Sequence, residues 1–330
     1  MKSIQTIFIS RTEIVDKINH FSRQGESFLF AVDFSGEKGF VLSPQEAENK
    51  GIRYKIGNLQ NDGNHSGKRP LKFDFSPVSF ETYKIAFKKV THHLKRGDTY
   101  LLNLTFPTPL HSNLSLSEIF DISCAPFKLF VPGHFIVFSP EMFIRTEQSL
   151  VFSSPMKGTI DAGVPDAEER LMSDEKEFFE HNTIVDLIRN DLSMVSTNVI
   201  VTRFRYIDRI HSNRGDLLQM SSEVCGTLPD GFRQRLGELL FTLLPAGSVT
   251  GAPKEKTVKI IQETESYDRG FYTGIFGYFD GVNLTSAVSI RFIQATDRGL
   301  VFKSGGGITA LSSLESEYDE MVQKVYVPVF

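Results

Sequence analysis

Two acidic pairs at helical spacing are the first sign of chemistry in this sequence. Glu177 and Glu180 lie three residues apart in one segment of helical apolar periodicity, and Glu317 and Glu320 repeat that spacing in another. Side chains three residues apart share one face of a helix. Two such faces set opposite each other would offer four carboxylates, which are ligands that suit Mg²⁺. A solvated acidic surface is the alternative interpretation, because charged side chains are mostly exposed.

Cationic and glycine-rich positions are candidates for binding an anion or attacking a substrate. Lys157, in a Pro-Met-Lys-Gly-Thr run, is either a solvated turn residue or a nucleophile whose pKa is lowered by burial or a nearby cation. Gly305-Gly306-Gly307 is either a flexible turn or a place where bare backbone amides approach an anion. Arg291 either points outward from a strand or holds a carboxylate with its planar fork.

The composition limits the kinds of partner. The 330 residues carry 36 Lys and Arg against 40 Asp and Glu, a net charge of −4. This balance argues against nucleic acid or an anionic membrane surface as the partner, since both favour basic proteins. No run reaches the roughly 20 apolar residues that a membrane helix needs. The two cysteines, Cys124 and Cys225, form neither a disulfide framework nor a zinc motif, so we expect a cytoplasmic protein.

The elements that must position these residues follow from the apolar spacing. Apolar side chains recur at helical intervals over 79–96, 166–194 and 254–265, and an acidic helix is predicted from about residue 313. Strand-like runs separated by turn residues fill much of the remaining chain. Strands with interspersed helices and no internal repeat indicate an α+β protein with mainly antiparallel sheets.

Eight short motifs follow one another between residues 97 and 320. They are Gly-Asp-Thr-Tyr at 97–100 with Asn-Leu-Thr at 103–105, Ser-Pro-Glu at 139–141, Pro-Met-Lys-Gly-Thr at 155–159, Glu-His-Asn-Thr-Ile-Val-Asp-Leu-Ile-Arg-Asn-Asp-Leu at 180–192, Pro-Ala-Gly-Ser-Val-Thr-Gly-Ala-Pro-Lys at 245–254, Arg-Gly-Phe-Tyr-Thr-Gly at 269–274, Ile-Arg at 290–291, and Gly-Gly-Gly at 305–307 with Glu-Tyr-Asp-Glu at 317–320. In this order they resemble the chorismate-utilising enzymes, particularly component I of the aminodeoxychorismate synthases. Each motif alone is modest, whereas eight in the correct order are specific.

The resemblance implies a fold and a metal. Members of the family fold as one α+β domain of two packed, mainly antiparallel sheets with helices on the outside. Here that catalytic domain would span 76–330, and 1–75 would be a truncated, strand-rich segment packed on it. The resemblance also implies a Mg²⁺ cofactor bound mainly by Glu180 and Glu320, with Glu177 and Glu317 holding coordinated waters.

The resemblance further implies a substrate and a reaction. Chorismate is a dianion, and the residues implied in binding its carboxylates are Gly158, Thr159, Tyr272, Arg291, Gly305, Gly306 and Gly307. Glu141 would protonate the departing 4-hydroxyl while Lys157 attacks the ring. Ammonia would then displace Lys157 and give 4-amino-4-deoxychorismate, on the branch toward p-aminobenzoate and folate. Neither cysteine has the setting of a glutaminase nucleophile, so ammonia would come from a separate glutamine amidotransferase subunit.

Two other functions stay open. Anthranilate synthase component I has the same fold, but such relatives usually carry alanine where this chain has Lys157. A non-catalytic relative that binds chorismate or Mg²⁺ is the other alternative, supported by Leu101 and Gln219, which replace the usual Gln or Lys and the usual His. Ile160-Asp161 likewise replaces an Arg-Pro pair. The N-terminal part is short for the family, so we expect no regulatory tryptophan site.

Overall fold

Two antiparallel β-sheets pack against each other, and helices cover them on the outside. The computed structural model describes residues 7–61, 70–210 and 216–329. Every strand pair within those residues is antiparallel. The α+β architecture expected from the sequence is therefore confirmed.

Short strands and helices alternate along the chain. The strands are β1 Ile9–Ser10, β2 Phe28–Val32, β3 Lys38–Leu42, β4 Arg53–Ile56, β5 Leu59–Gln60, β6 Phe73–Phe75, β7 Leu101–Ser112, β8 Phe127–Val131, β9 Phe135–Ser139, β10 Met142–Glu147, β11 Leu150–Ser153, β12 Met156–Asp161, β13 Thr197–Ile210, β14 Leu217–Thr227, β15 Gly251–Ala252, β16 Ile275–Phe279, β17 Leu284–Val288, β18 Phe292–Thr296 and β19 Gly299–Ile308. The helices are α1 Arg11–Gln24, α2 Pro44–Asn49, α3 Phe80–Arg96, α4 Leu116–Ile122, α5 Ala167–Ser173, α6 Glu175–Ser193, α7 Leu236–Thr242, α8 Lys254–Thr264 and α9 Leu314–Gln323. Two 3₁₀ turns, Phe232–Arg235 and Gly247–Val249, complete the elements.

The first sheet brings distant parts of the chain together. Within the described residues its strand order is β1-β3-β2-β16-β17-β10-β11-β14-β12, and β13 pairs with the other edge of β14. The strand β16 lies between β2 and β17, so that Ile275 faces Val32 on one side and Val288 on the other. The hairpin of β2 and β3 and the hairpin of β16 and β17 therefore lie side by side in one sheet.

The second sheet carries the glycine motif. Its order in the same part of the chain is β15-β7-β19-β18-β9-β8-β4-β5, with β6 also paired to β7. The long β7–β19 ladder sets Gly305 opposite Thr105 and Gly307 opposite Asn103. The three glycines are therefore strand residues, and the flexible turn that was one interpretation of them is not formed.

Aromatic and aliphatic side chains fill the space between the sheets. Phe40, Phe135, Phe276 and Phe292 are buried in the cluster that joins them. Two further clusters lie where helices pack, one with α1, α6 and α7 and the other with α3, α8 and α9. Fully burying each such side chain stabilises the fold by about 1.5–3 kcal/mol. These clusters fix α6 and α9, which carry the acidic pairs, relative to the two sheets.

The helix boundaries largely follow the sequence signals, with one exception. The helix predicted over 79–96 is confirmed as α3. The helical segment predicted over 166–194 is confirmed except for a break at one residue, since α5 ends at Ser173 and α6 begins at Glu175. Asp174 separates them with an extended backbone, and its side chain accepts a hydrogen bond from the Glu177 N–H at 2.9 Å. In the described ranges no helix is both long enough and apolar enough to cross a membrane.

Candidate active site

A cleft of about 160 Å³ opens where the two sheets meet α6 and the end of α9. Its walls come from β7, β12 and β19, from the turn before β15, and from the loops around residues 141, 272 and 291. The predicted site residues that line it are Glu141, Lys157, Glu180, Tyr272, Arg291, Gly305, Gly306 and Gly307. The predicted residues that do not line it are Gly158, Thr159, Glu177, Glu317 and Glu320.

A β-bulge in β12 directs Lys157 toward the cleft. The register between β12 and β14 shifts between Met156 and Thr159, which places one extra residue on β12. Gly158 has a positive φ of 85° in this bulge. A Cβ there would lie 3.0 Å from Glu177 Oε2, so the site needs glycine for space as well. Thr159, the next residue, is exposed and lies outside the cleft wall.

Lys157 forms an ion pair with α6. Its Nζ lies 2.7 Å from Glu180 Oε2. Burial acts to lower the pKa of Lys157, but the carboxylates of Glu180, Glu320 and Glu177 outweigh it and hold the pKa above its usual value. Among these charges the side chain is an ammonium group. It must lose a proton before it can attack as an amine.

The fold brings the two acidic pairs to one place. Glu177 and Glu180 lie on α6, whereas Glu317 and Glu320 lie on α9. Gly306 marks where the second pair approaches the cleft, because a Cβ there would lie 3.4 Å from Glu320 Oε1 and 3.5 Å from Glu317 Oε2. The pKa of the neighbouring lysine responds to carboxylates from both helices. Since Glu180 and Glu317 are buried, a fully solvated acidic surface does not describe this cluster.

The donor chemistry of this cluster fits Mg²⁺. The ion prefers carboxylate oxygens, and proteins usually hold it by one or two carboxylates together with waters and substrate oxygens. Among the described residues no group of three or more His, Cys, Asp or Glu side chains is placed so that it could hold a metal ion, so the protein would supply fewer than three ligands in this arrangement. Two amines already contact the cluster, Lys157 on Glu180 at 2.7 Å and Lys324 on Glu320 at 2.5 Å. Mg²⁺ would therefore compete with two ammonium groups for these carboxylates.

Glu141 is held rigidly between β9 and β10. Its N–H donates to Ser139 Oγ at 3.1 Å, and its carbonyl accepts from the Val288 N–H at 3.1 Å. The carboxylate accepts a short hydrogen bond from the Ser248 hydroxyl. Burial raises the pKa of Glu141 above its ordinary value, and the Ser248 hydrogen bond and the Lys324 charge offset this only in part. A carboxyl group of raised pKa holds a proton at higher pH and can donate it as a general acid.

The turn that carries Ser248 is fastened to α6 and to β7. The Gly247 backbone N–H, in the turn, donates to the Asp191 carboxylate near the end of α6, and Lys254 Nζ at the start of α8 lies 2.9 Å from Asp191 Oδ2. The Asn103 side-chain amide donates to the Val249 carbonyl at 3.1 Å. These contacts come from three separate segments of the chain. They hold the 3₁₀ turn where its serine contacts the Glu141 carboxylate.

A buried ion pair supports the loop that carries Tyr272. Arg269 donates to the carboxylate of Glu265 at 2.7 and 2.8 Å, and both side chains are 2% exposed. The same guanidinium donates to the carbonyls of Val249 and Asn103. Tyr272 is itself buried, and burial raises the pKa of its hydroxyl well above the usual value. The loop, the turn and β7 are therefore joined through one guanidinium.

Arg291 lines the cleft from an unusual backbone position. Its φ is 53°, in the left-handed region that few residues other than glycine adopt. Its Nη1 donates to the Lys324 carbonyl at 2.9 Å, and its guanidinium lies 4.5 Å from the centre of the Tyr326 ring. A guanidinium has five N–H donors in a planar fork. Donors remain for a substrate carboxylate after the contact with the Lys324 carbonyl.

Sequence reasoning missed several polar residues of the cleft, among them Ser248, Lys303 and Lys324. Lys324 donates to Glu320 Oε1 and to the Gly305 carbonyl, the latter at 3.0 Å. Its spacing of four residues from Glu320 was an available signal, because such pairs meet on a helix face. Ser248 gave no such signal, since its partner lies 107 residues away in the chain.

Lys303 is a buried lysine in the wall of the cleft. It is 4% exposed, and its Nζ donates to the carbonyls of Asp268 and Arg269 at 3.2 and 2.8 Å. Burial lowers the pKa of Lys303 to about 8. Its position inside an apolar strand, Leu300 to Phe302 before it, does not reveal a polar neighbour. Only the folded loop supplies the two carbonyls.

The residues that depart from the family pattern lie in different surroundings. Leu101 lines the cleft and packs on the glycine strand, since a Cβ on Gly307 would lie 3.1 Å from Leu101 Cδ1. Gln219 faces Thr159 across the β12–β14 ladder and is not part of the cleft wall. Leu101 is therefore the departure that changes the chemistry of the cleft surface.

Fold and cleft together define a class of protein, an α+β protein with cationic side chains and paired carboxylates around one small cavity. Such a cavity suits a small dianion. The sequence model of the chorismate binding enzyme family matches residues 23–329. The chain belongs to that family, as its motifs suggested.

Individual relatives refine this assignment. A Haemophilus influenzae protein described as an uncharacterized PabA-like protein is 47% identical over 315 residues, which cover 96% of each chain. Aminodeoxychorismate synthase component 1 of Bacillus subtilis is 30% identical over 267 residues, covering 76% of this chain and 55% of its own. Among solved structures, anthranilate synthase component I from Streptococcus pneumoniae matches 93% of this chain and 84% of its own, with a TM-score of 0.71 and 21% identity. That last likeness concerns the fold alone.

Proposed function

We propose that this protein aminates chorismate at C4 to give 4-amino-4-deoxychorismate, with Mg²⁺ as cofactor and ammonia as nitrogen donor. The observation that carries the proposal is the presence of Lys157 and Glu141 in one cleft. The first is an amine that can act as a nucleophile, and the second is a carboxyl group of raised pKa that can act as an acid. Anthranilate synthesis needs no lysine nucleophile.

Once Lys157 has lost its ammonium proton to solvent, the reaction balances with these two groups. Glu141 donates its proton to the 4-hydroxyl group, which leaves as water while the neutral Lys157 amine forms a C–N bond to the ring. Ammonia then forms the C4–N bond, the bond to Lys157 breaks, and Glu141 recovers a proton from the incoming nitrogen. The net change replaces one hydroxyl by one amine and releases one water. No electron transfer occurs, so no redox cofactor is needed.

The other residues of the cleft bind and orient the substrate. The Arg291 guanidinium would take one chorismate carboxylate, with Tyr272 and the strand of Gly305, Gly306 and Gly307 beside it. Mg²⁺ held by the carboxylates of α6 and α9 would supply positive charge for the second chorismate carboxylate. It would also offset the negative charge of the glutamate carboxylates that surround Lys157. Leu101 presents an apolar surface, which offers no base to activate water against the ring.

The source of ammonia would be a separate glutamine amidotransferase subunit. Cys124 is half-buried and Cys225 is buried. Burial raises the pKa of both thiols, which lowers the population of the reactive thiolate. Neither cysteine therefore suits a glutaminase, which supports a division of labour between two chains. The product would enter the synthesis of p-aminobenzoate and folate.

The test is a direct identification of the product. The purified chain is incubated with chorismate, Mg²⁺ and a high concentration of ammonium. The products are separated by chromatography and identified by mass spectrometry. Aminodeoxychorismate that disappears with EDTA and in Lys157→Ala would support the proposal. Anthranilate with pyruvate would move the protein to the anthranilate synthases. Chorismate binding without turnover, even with an amidotransferase present, would support the non-catalytic alternative.

A further inference from the structure

Residues 324–329 form a C-terminal strap that runs from the cleft to the end of α4. Val325, Val327 and Val329 pack into the apolar cluster that contains α4. The Cys124 N–H, just after α4, donates to the Pro328 carbonyl at 2.7 Å. The strap is therefore anchored at its far end by both apolar packing and a backbone hydrogen bond.

The burial pattern of the strap shows where Tyr326 lies. The Tyr326 N–H donates to the Lys324 carbonyl at 3.1 Å in a tight turn at Val325, and Val325 and Val327 are buried whereas Tyr326 between them is half-buried. The Tyr326 ring meets the Arg291 guanidinium at 4.5 Å. The Lys324 carbonyl accepts from Arg291 Nη1 at 2.9 Å. The strap thus holds the arginine by a ring face and by a carbonyl oxygen.

Arg291 needs such support for two reasons. The backbone of Arg291 lies in the left-handed region, which is unfavourable for a side chain of this size. Such a conformation persists only where neighbouring contacts hold it. Arg291 also lies close enough to the Lys324 ammonium for the two charges to repel each other. The electron-rich face of an aromatic ring attracts a guanidinium and offsets such repulsion. A ring contact and a carbonyl contact together define the plane of the fork and leave other N–H groups free of those contacts.

We propose that Tyr326 is a positioning residue, which holds the Arg291 guanidinium in the orientation that receives a substrate carboxylate. The C-terminal strap then forms part of the substrate site. The inference rests on the proposed function only in taking Arg291 as the residue that binds a carboxylate. Tyr326 itself does not line the cleft, so its effect falls on substrate affinity and not on the chemical step.

The test compares three variants in steady-state kinetics. Tyr326→Leu keeps an apolar side chain but removes the ring, and it should raise the KM for chorismate roughly 3- to 30-fold with kcat unchanged. Tyr326→Phe keeps the ring and should restore the wild-type KM. The matched control is Tyr206→Leu, because Arg203 covers the Tyr206 ring at 3.7 Å outside the cleft. That control should leave KM unchanged.

A double-mutant comparison shows whether the effect passes through Arg291. In an Arg291→Ala background, Tyr326→Leu should cause no further loss of kcat/KM, because the group it positions is gone. An equal loss in both backgrounds would overturn the inference. So would an unchanged KM in Tyr326→Leu. If that variant does not fold, Tyr326→Met replaces it, since methionine fills irregular space.

The failure of this inference is distinguishable from failure of the proposed function. Chorismate affinity measured by calorimetry without ammonium gives the same comparison whatever the product is. Wild-type protein that makes a different product, together with weaker chorismate binding in Tyr326→Leu, would support the role of Tyr326 and refute the amination. Aminodeoxychorismate formed with equal affinities in all variants would refute the role of Tyr326 alone.

Discussion

The amine of Lys157 lies 2.7 Å from Oε2 of Glu180. The residue proposed as nucleophile and the residue proposed as principal metal ligand are therefore in direct contact. The carboxylates of α6 and α9 hold Lys157 as an ammonium group. Attack on a substrate requires this pair to separate, so the metal and the nucleophile should influence each other.

Replacing Lys157 should separate the role of its charge from that of its amine. Lys157→Arg retains a cation beside Glu180 but has no nucleophilic amine, since a guanidinium stays protonated. We expect it to fold and bind chorismate while its amination rate falls below detection. Lys157→Met, which lacks both properties, should be equally inactive. The measurement is product formation with ammonium, and substantial amination by Lys157→Arg would contradict the covalent route.

Magnesium binding should depend on Glu180 and compete with Lys157. Saturating Mg²⁺ should stabilise the wild-type protein, by about 2.7 kcal/mol at a hundredfold excess over Kd. Glu180→Gln should lose most of this effect, whereas Lys157→Met should bind Mg²⁺ more tightly because a competing ammonium is gone. Thermal unfolding with and without Mg²⁺ measures both changes without reference to activity.

The control for this experiment lies on the same helix. Glu175→Gln removes an exposed carboxylate from the first turn of α6, away from the cleft. It should leave the Mg²⁺-dependent stabilisation intact. An equal rise of Tm with Mg²⁺ in the wild type and in Glu180→Gln would place the metal elsewhere.

The pH dependence of the rate should report the hydrogen bond between Ser248 and Glu141. Burial raises the pKa of Glu141, whereas the Ser248 hydroxyl lowers it by stabilising the carboxylate. Glu141 acts in its protonated form, so activity falls as the pH rises through its pKa. Ser248→Ala should raise that pKa and move the alkaline limb of the kcat profile to higher pH. Ser248→Thr, which keeps a hydroxyl, should not move it.

A variant of Glu141 shows how much of the rate depends on this acid. Glu141→Gln should lower kcat roughly 10²- to 10⁴-fold, the usual contribution of general acid catalysis, with little change in KM. The profiles are compared at a constant concentration of free ammonia, so that the titration of ammonium does not enter. Superimposable alkaline limbs for wild type and Ser248→Ala would show that the hydrogen bond does not control the acid.

Lys303 should make the stability of the fold depend on pH. Burial lowers its pKa from 10.5 to about 8 in the folded protein. Between these two values the unfolded chain binds more protons than the folded one, so stability rises with pH. Relative to Lys303→Met, the unfolding free energy of the wild type should rise by up to about 3 kcal/mol across that interval.

Chemical denaturation of both proteins at several pH values measures this difference. The wild-type protein alone is not sufficient, because buried tyrosines with raised pKa values also contribute at alkaline pH. Subtracting the Lys303→Met curve removes their contribution. Parallel curves for the two proteins would mean that Lys303 remains charged or is solvated in the folded state.

Local sequence signals were reliable for helices and for the acidic pairs. Apolar periodicity predicts α3 well, because one buried stripe with a serine before it and a glycine after it defines a helix. Apolar periodicity also predicts the helical segment over 166–194, but it does not reveal the break at Asp174. An aspartate inside a periodic segment can cap a new helix and so divide the segment into two helices. The apolar pattern alone does not reveal whether this happens.

The site was less accessible to sequence reasoning where its contacts are remote. Glu177 and Glu180 were recognised as one helix face, yet their approach to Glu317 and Glu320 depends on how α6 and α9 pack on the sheets. Ser248 was missed because its partner Glu141 lies on another element. No local feature of the turn sequence predicts that Ser248 contacts Glu141.

The sequence by itself determined the family, the α+β class and the identity of most of the ionisable residues in the cleft. Ordered motifs and side-chain spacing carry this information, because they act over a few residues. The tertiary structure alone decided that the glycines lie in a strand, that Lys303 is buried under two carbonyls, and that Tyr326 meets Arg291. The two side-chain contacts join residues 33 to 35 positions apart, and the glycine strand β19 pairs with the much earlier strand β7. Chain closure over such distances depends on the packing of the whole core.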